Sequence, residues 1–281
     1  MARHGARELS RPATTDGAKA GQQARPGRGR RPEPWEPERF VAEPEADAPR
    51  GPRRPTPQKA GGRSAPERAA RPTRLPEEVA SELAKAPATR AGKDLPRRMG
   101  DAIRAYDRDR YEDARRLLRR LAEAVPAAPA VRELYGLTLY RMGRWRDAIR
   151  ELEAFHSLSN SYDQHPVLAD CYRALGENDR VGELWDELRR ASPGAAVVAE
   201  GRLVAAGAMA DGGDLPGAIR LLERAPAASK RDPLRQVRTW YALADLYERA
   251  GDIPRARDLF RRVLDHDPEL FDTAERLAAL G

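Results

Sequence analysis

Apolar side chains recur through residues 76–281 with the spacing of amphipathic helices. In the stretch 240–268, the apolar face of a first helix consists of Trp240, Leu243, Ala244 and Tyr247. Gly251 ends that helix, because glycine adopts the left-handed conformation without a Cβ penalty. The apolar face of a second helix consists of Ala256, Phe260 and Val263. Pro268 stops it, so the stretch predicts a helix–turn–helix pair.

The same pattern recurs upstream. Small or compact residues stand where the two helices of each pair are expected to cross, at Ala114, Ala148, Val181, Ala218 and Ala256, in steps of 34, 33, 37 and 38 residues. A glycine precedes each of the last four by five residues, and Asp109 takes its place in the first. Two helices of this size cannot bury their shared face alone, so we expect five stacked pairs.

Short helices are predicted at both ends of this array. Pro76 and Glu77 suit the first turn of a helix that carries Val79 and Leu83 on its apolar side. A terminal helix is predicted over 269–280, with an apolar side made of Phe271, Ala274, Leu277 and Leu280. We expect these two helices to cover the open ends of the array.

Residues 1–75 differ from the rest of the chain in composition and charge. They hold 17 Lys and Arg against 9 Asp and Glu, a net charge of +8, whereas the whole chain carries +7. The segment is rich in Arg, Pro and Gly and has too little apolar surface to offset chain entropy. We therefore predict a disordered tail over 1–75 and a helical repeat domain over 76–281.

Two features of the tail each leave two interpretations open. The run 25–32 resembles an AT-hook, a thin Arg-Gly-Arg-Pro element of the DNA minor groove; its candidate nucleic-acid contacts are Arg25, Arg28, Arg30 and Arg31. The alternative is a solvated linker. Trp35, Phe40 and Val41 lie within an acidic block, residues 33–47, which is either a docking segment or an unstructured stretch.

The helix pairs resemble tetratricopeptide repeats, whose pattern is W-x2-L-G-x2-Y…A-x3-F…P, with Ala244 in the glycine place. The resemblance covers residues 95–281, and the layout also resembles an actinobacterial-type group of such proteins. It implies an all-α, right-handed solenoid of about five repeats whose concave groove binds peptides. Transferred by repeat phase, the groove lining is Tyr106, Glu133, Leu137, Tyr140, Arg141, Asp170, Arg173, Tyr241, Asp245 and Arg249. The alternative is a solvated face of internal ion pairs.

Motifs for catalysis are missing from the sequence. There is no HExxH, GxSxG or phosphate-loop pattern, and His156, His165, Asp163 and Cys171 have no recognisable metal-ligand spacing. Cys171 is the only cysteine and lies in an apolar helical pattern, which favours a buried small side chain. We therefore expect no cofactor, no bound metal and no enzymatic activity.

The chain opens without a basic and then apolar signal, and no stretch has the apolar length of a membrane span. We expect a cytoplasmic protein. Its predicted function is that of a non-enzymatic scaffold that binds a segment of a protein partner in the groove. The alternative is a nucleic-acid-associated protein that is held to DNA or RNA by the basic tail.

Overall fold

The structure is a computed structural model that describes residues 75–84, 94–226, 233–268 and 270–281. The predicted tail lies outside these residues except for Leu75, so its disorder and the domain boundary at residue 76 stay predictions. Within the described ranges there are twelve α-helices and no β-strand. The helices are α1 (Glu77–Ala84), α2 (Leu95–Tyr106), α3 (Tyr111–Ala124), α4 (Pro129–Arg141), α5 (Trp145–Ser159), α6 (His165–Ala174), α7 (Asn178–Ala191), α8 (Ala195–Asp211), α9 (Leu215–Glu223), α10 (Pro233–Arg249), α11 (Ile253–His266) and α12 (Thr273–Ala279).

Helices α2 to α11 form five consecutive helix–turn–helix pairs. The first helices α2, α4, α6, α8 and α10 pack side by side in chain order. Each second helix packs against its own first helix, and all but α11 also pack against the first helix of the next pair. This arrangement lets each pair cover the apolar face of its neighbour, which a single pair cannot do. Helix α1 packs on α2 and α4, and α12 packs on α11.

The turn inside every pair has the same backbone geometry. The residue five positions before each crossing residue has a positive φ: Asp109 at 57°, Gly143 at 70°, Gly176 at 79°, Gly213 at 93° and Gly251 at 80°. The next N–H then bonds to the carbonyl five residues back, as in Arg144 to Leu139 and Asp252 to Tyr247. These bonds satisfy carbonyl groups that the end of a helix leaves without partners. The predicted turns are therefore confirmed, including the one that uses Asp109.

The two helices of a pair approach closely at small residues. Ala114, Ala148, Ala218 and Ala256 are each 0% exposed, and Val181 is 1% exposed. A Cβ placed on Gly136 would lie 2.6 Å from Cδ2 of Leu152 and 3.3 Å from its backbone nitrogen. Gly136 therefore allows the backbones of α4 and α5 to approach closely.

Helix α8 joins two clusters of buried apolar side chains. Ala208 packs in the cluster that extends from α1 to α7, whereas Ala206 and Ala210 pack in the cluster that extends to α12. Gly201 allows Leu188 of α7 to approach α8, since an added Cβ would lie 2.3 Å from Cδ2 of Leu188. A helix that is packed on several sides needs small apolar residues around its circumference, which explains the Ala-rich sequence of α8.

The predicted terminal helix over 269–280 starts too early. Helix α12 begins at Thr273, and Phe271 lies in the preceding turn with φ 52° and 44% exposure. Ala274 is exposed as well, while Leu277 and Leu280 pack against the second cluster. The chain must reverse after α11, and residues 270–272 are used for that turn. The buried position at the start of α12 is taken by Thr273, whose hydroxyl donates to the carbonyl of Leu270.

We expect Gly136→Ala to destabilise the protein by about 1–2 kcal/mol, because the new methyl group overlaps Leu152 in a packed crossing. Gly182→Ala is the matched control, since it lies in α7 with nothing within 4 Å of an added Cβ. That control should be stabilised by about 0.5–1 kcal/mol through helix propensity. Urea unfolding of the two variants measures both effects, and equal midpoints would contradict the proposed close approach.

Candidate binding surface on the first helices

The ten side chains predicted to line a groove all lie on first helices, but they differ in accessibility. Four of them are buried, namely Tyr106, Glu133, Leu137 and Tyr140. Leu137 is 0% and Tyr140 is 1% exposed, because α4 packs against the second helices α3 and α5 as well as against its neighbouring first helices. These four side chains are packed inside the array, so the prediction that they line an open groove is wrong. Of the remaining six, Arg249 is exposed, and the half-buried ones are Arg141, Asp170, Arg173, Tyr241 and Asp245.

Hydrogen bonds and ion pairs connect most of the predicted residues into one chain across the first helices and α12. We call this chain the polar ladder; its members are Tyr140, Asp170, Arg173, Asp211, Tyr241, Asp245, Glu248, Arg249, Asp272 and Arg276. Arg141 lies apart from it, 3.8 Å from the carboxylate of Asp109 and over the ring of Tyr111.

The first part of the ladder connects α4, α6 and α8. The Tyr140 hydroxyl donates to Oδ2 of Asp170 at 2.7 Å. NH1 of Arg173 lies 3.5 Å from the other oxygen of Asp170, and its Nε donates to Asp211 at 2.8 Å. Buried Tyr140 therefore holds Asp170 in place, and Arg173 carries the network on to the end of α8.

Gly207 provides the space that Arg173 needs to reach Asp211. A Cβ on Gly207 would lie 2.7 Å from the guanidinium carbon of Arg173 and 2.9 Å from NH1. Glycine in the middle of a helix is unfavourable by up to about 1 kcal/mol relative to alanine. Gly207 thus makes α8 less stable by itself but allows the guanidinium group to lie directly against its backbone.

The second part of the ladder connects α8, α10 and α12. NH2 of Arg249 lies 3.7 Å from Asp211 and donates to the carbonyl of Ala210 at 3.0 Å, while its NH1 lies 3.8 Å from Asp245. Arg276 donates to Asp245 at 2.8 Å and to Glu248 at 2.6 Å. Helix α12 therefore does more than cover the last pair, because its arginine ends the ladder.

Arg276 is the most strongly held member of the ladder. Its NH1 donates to the Tyr241 hydroxyl at 3.3 Å, and its guanidinium carbon lies 4.7 Å from the ring centre of Phe260. Burial lowers the pKa of Arg276, but the bonds from Tyr241 and the two carboxylates outweigh it and raise the pKa above the usual value. Burial and the bond to Asp272 raise the pKa of Tyr241 to about 12. Both groups therefore keep their protons at neutral pH.

Sequence reasoning missed four ladder residues and also Gly207, and the repeat phase contained the signal for Asp211, Glu248 and Gly207. Asp211 lies seven residues before its crossing residue, as Arg141 and Arg249 do. Gly207 lies eleven residues before, in the place of Asp170 and Asp245. Glu248 occupies the same position in its repeat as Tyr140 does in its own. Arg276 and Asp272 belong to the terminal segment, which has no repeat phase, so the pattern could not indicate them.

Histidine side chains cluster at the junction of α5 and α6. The rings of His156 and His165 lie 4.6 Å apart, and the ring of Tyr162 packs against both. His156 donates from Nδ1 to the carbonyl of Ser161 at 2.8 Å, and Nε2 of His165 lies 3.6 Å from Glu187. His165 is only 3% exposed. Burial, and next the charge on His156, lower the pKa of His165 to about 4.

Within the described ranges, no three His, Cys, Asp or Glu side chains come together in a way that could hold a metal ion. Cys171 is buried, as predicted, and burial raises the pKa of its thiol. None of the helices described here is long and apolar enough to span a bilayer. The candidate nucleic-acid contacts Arg25, Arg28, Arg30 and Arg31 lie outside the described residues.

Two stretches of the chain match family models for the tetratricopeptide repeat, over residues 101–156 and 237–280. Among solved structures, TTC0263, a thermophilic protein of this repeat class from Thermus thermophilus, is similar with a TM-score of 0.51 and 20% identity, over 66% of this chain and 98% of that one. The repeat domain of P58(IPK) has a TM-score of 0.30 and 16% identity, over 68% of this chain and 65% of that one. No curated protein matches the sequence. The twelve described helices, the two repeat matches and the similarity to TTC0263 confirm the predicted all-α repeat fold.

We expect thermal stability to fall as the pH falls from 6.5 towards 4. The folded state holds His165 neutral below its unfolded pKa of about 6.5, so the unfolded state binds more protons in this window. Melting temperatures at intervals between pH 7.5 and 5 measure the slope. His165→Gln should flatten it, whereas His266→Gln, at an exposed position of α11, should leave it unchanged. Identical slopes in both variants would refute the assignment.

Proposed function

We propose that this chain, which carries tetratricopeptide repeats, is a non-enzymatic scaffold that binds an extended segment of a partner protein along the polar ladder. The observation that supports this proposal is the ladder itself. It gathers tyrosine, arginine and carboxylate side chains from α4 to α12 on the same side of successive repeats. Tyrosine and arginine are enriched among the residues that contribute most to protein interfaces.

The charge of the ladder indicates the chemistry of the partner segment. Five carboxylates belong to it, on Asp170, Asp211, Asp245, Glu248 and Asp272, against the three guanidinium groups of Arg173, Arg249 and Arg276. A surface that is negative by two charges favours a segment with lysine or arginine side chains. Asp211 is 41% and Asp245 is 35% exposed, so both are accessible to such side chains.

At the exposed positions of the ladder, an ion pair can be replaced by another at little cost in free energy. The pairs of Arg249 with Asp211 and Asp245 are long, at 3.7 and 3.8 Å, and Arg249 is 37% exposed. Exposed pairs of this kind contribute roughly 0–1 kcal/mol each. An incoming cation can therefore replace Arg249 at either carboxylate. Arg276, at 19% exposure and with several short bonds, remains in place and keeps Asp245 and Glu248 oriented.

We further propose that the protein acts in the cytoplasm and that its role is binding rather than catalysis. The one cysteine is buried and has a raised pKa, which makes it unsuitable as a nucleophile. The carboxylates and guanidinium groups of the ladder are paired with one another, so they hold fixed charges at the surface, as a binding surface requires. Membership of an actinobacterial-type group stays a prediction.

Reversing the charge at the two accessible carboxylates, Asp211 and Asp245, tests the binding surface. Tagged full-length protein and an Asp211→Arg, Asp245→Arg variant are used to capture partners from the native cell, and each captured protein is quantified by mass spectrometry. Specific partners should fall at least about tenfold, since two favourable charge contacts become repulsive. Asp186→Arg is the control, because Asp186 is also accessible, at 58% exposure, but lies on α7, outside the ladder. Equal losses in both variants, or full retention in the first, would place the binding surface elsewhere.

Gly207→Ala separates binding from stability. The new methyl group displaces the guanidinium group of Arg173 from its place against α8, while alanine improves the helix by up to about 1 kcal/mol. We expect an unchanged or higher melting temperature together with weaker capture of the same partners. A variant that melts earlier would show that Gly207 serves packing instead.

The charge of the tail supports a second candidate function, association with nucleic acid. Residues 1–75 carry the net positive charge of the chain, while the remaining residues are nearly neutral. Retention of the full chain on DNA at two salt concentrations tests it, beside a variant with Arg25, Arg28, Arg30 and Arg31 changed to Ala. Tail-dependent binding should weaken steeply with salt, because phosphate contacts release counterions. Absence of retention at low salt would remove this candidate.

A further inference from the structure

A cavity of about 270 Å³ lies between α8, the end of α9 and the start of α10. Its apolar wall includes Val198, Ala199 and Leu203. Arg202, Arg235 and Thr239 are its main polar side chains, and no carboxylate belongs to its described lining. The cavity is large enough for one apolar side chain with a short piece of backbone.

Arg202 gives this cavity its charge. Its guanidinium group lies 5.2 Å from the ring centre of Trp185, and NH1 donates to the carbonyl of Leu221 at 3.2 Å. No carboxylate of the described residues forms an ion pair with it. Burial, and next the charge of Arg189, lower its pKa from 12.5, but an arginine remains protonated. A half-buried cation beside an apolar cavity favours a ligand that brings both a carboxylate and an apolar side chain.

The cavity is separate from the polar ladder. It uses the N-terminal halves of α8 and α10, whereas the ladder uses Gly207 and Asp211 on α8 and Asp245 and Arg249 on α10, in their C-terminal halves. The two surfaces also differ in sign, because the ladder is negative and the cavity lining is positive. A single ligand chemistry therefore does not suit both.

One segment of this chain has the chemistry that the cavity requires. The acidic block, residues 33–47, holds six Asp and Glu residues against Arg39 and contains the adjacent apolar pair Phe40 and Val41. The flanking blocks, 1–32 and 50–74, are strongly basic and would be repelled by Arg202. We propose that the acidic block binds this cavity within the same chain, with Phe40 in the apolar part and a neighbouring carboxylate paired with Arg202.

The connecting chain is long enough for this contact. Residues 41–74 extend to roughly 110 Å when fully stretched, at about 3.3 Å per residue. First helices pack about 8–10 Å apart, so the four steps from α2 to α10 amount to roughly 40 Å. The remaining length lets the segment approach the cavity without a strained path.

Photocrosslinking in the full-length chain tests the proposal. Benzoylphenylalanine replaces Phe40, and crosslinked peptides are mapped by mass spectrometry; the same residue in place of Leu9, outside the acidic block, is the control. We expect crosslinks within one chain from position 40 to residues 195–203 or 235–239, and none there from position 9. Crosslinks from position 40 to the polar ladder, between two chains, or to neither surface would overturn the proposal.

Two variants of the crosslinking protein check the recognition chemistry. Arg202→Glu should lower the yield at the cavity roughly tenfold through loss of a charge-assisted bond, while Arg220→Glu, exposed on α9, should not. Ala199→Phe fills the cavity and keeps Arg202, so it should also lower the yield even if Arg202→Glu folds poorly. Wild-type yield in a folded Arg202→Glu or Ala199→Phe variant would overturn the proposal.

Discussion

The close approach of two helix backbones within each pair is the constraint on which the rest of the structure depends. It requires a residue without a large side chain at the crossing and a turn that reverses the chain within a few residues. The positive φ of the turn residue fulfils the second requirement in all five described pairs. Asp109 does so at a conformational cost that glycine avoids, which shows how strongly the geometry is imposed.

This constraint also fixes what the first helices can present to another molecule. Because each second helix covers its own first helix and part of the next, one face of every first helix remains for contacts between repeats and with solvent. Side chains at equivalent repeat positions then lie in sequence along the array. Tyr140, Arg173 and Arg249 come from three different repeats, yet they join one network through Asp170 and Asp211. A ladder of this kind is a property of the stack and does not exist in an isolated pair.

The amount of structure that could be predicted follows from the range of the interactions involved. Turns and crossings are local, so the spacing from Gly251 to Ala256 was enough to locate them. Burial of Leu137 and Tyr140 depends on how the surrounding helices pack against α4, and the repeat phase alone could not distinguish a residue packed between helices from one facing solvent. The start of α12 was misplaced because the turn before it has no repeat equivalent. Pairing of Arg173 with Asp211 across Gly207 required the distance between α6 and α8, which no spacing contains.

Helix α8 brings the remaining features together. Its small residues let it pack in both apolar clusters, and the same absence of large side chains leaves room for Arg173 at one end and for the cavity at the other. The two ends of α8 also differ in charge, with the negative Asp211 at the C-terminal end and the positive Arg202 in the N-terminal half. If the acidic block of the tail binds the cavity as proposed, it is attracted by the positive cavity and repelled by the negative ladder. The basic blocks beside it are repelled by the cavity and attracted by the ladder. The ladder then remains available to a basic partner segment.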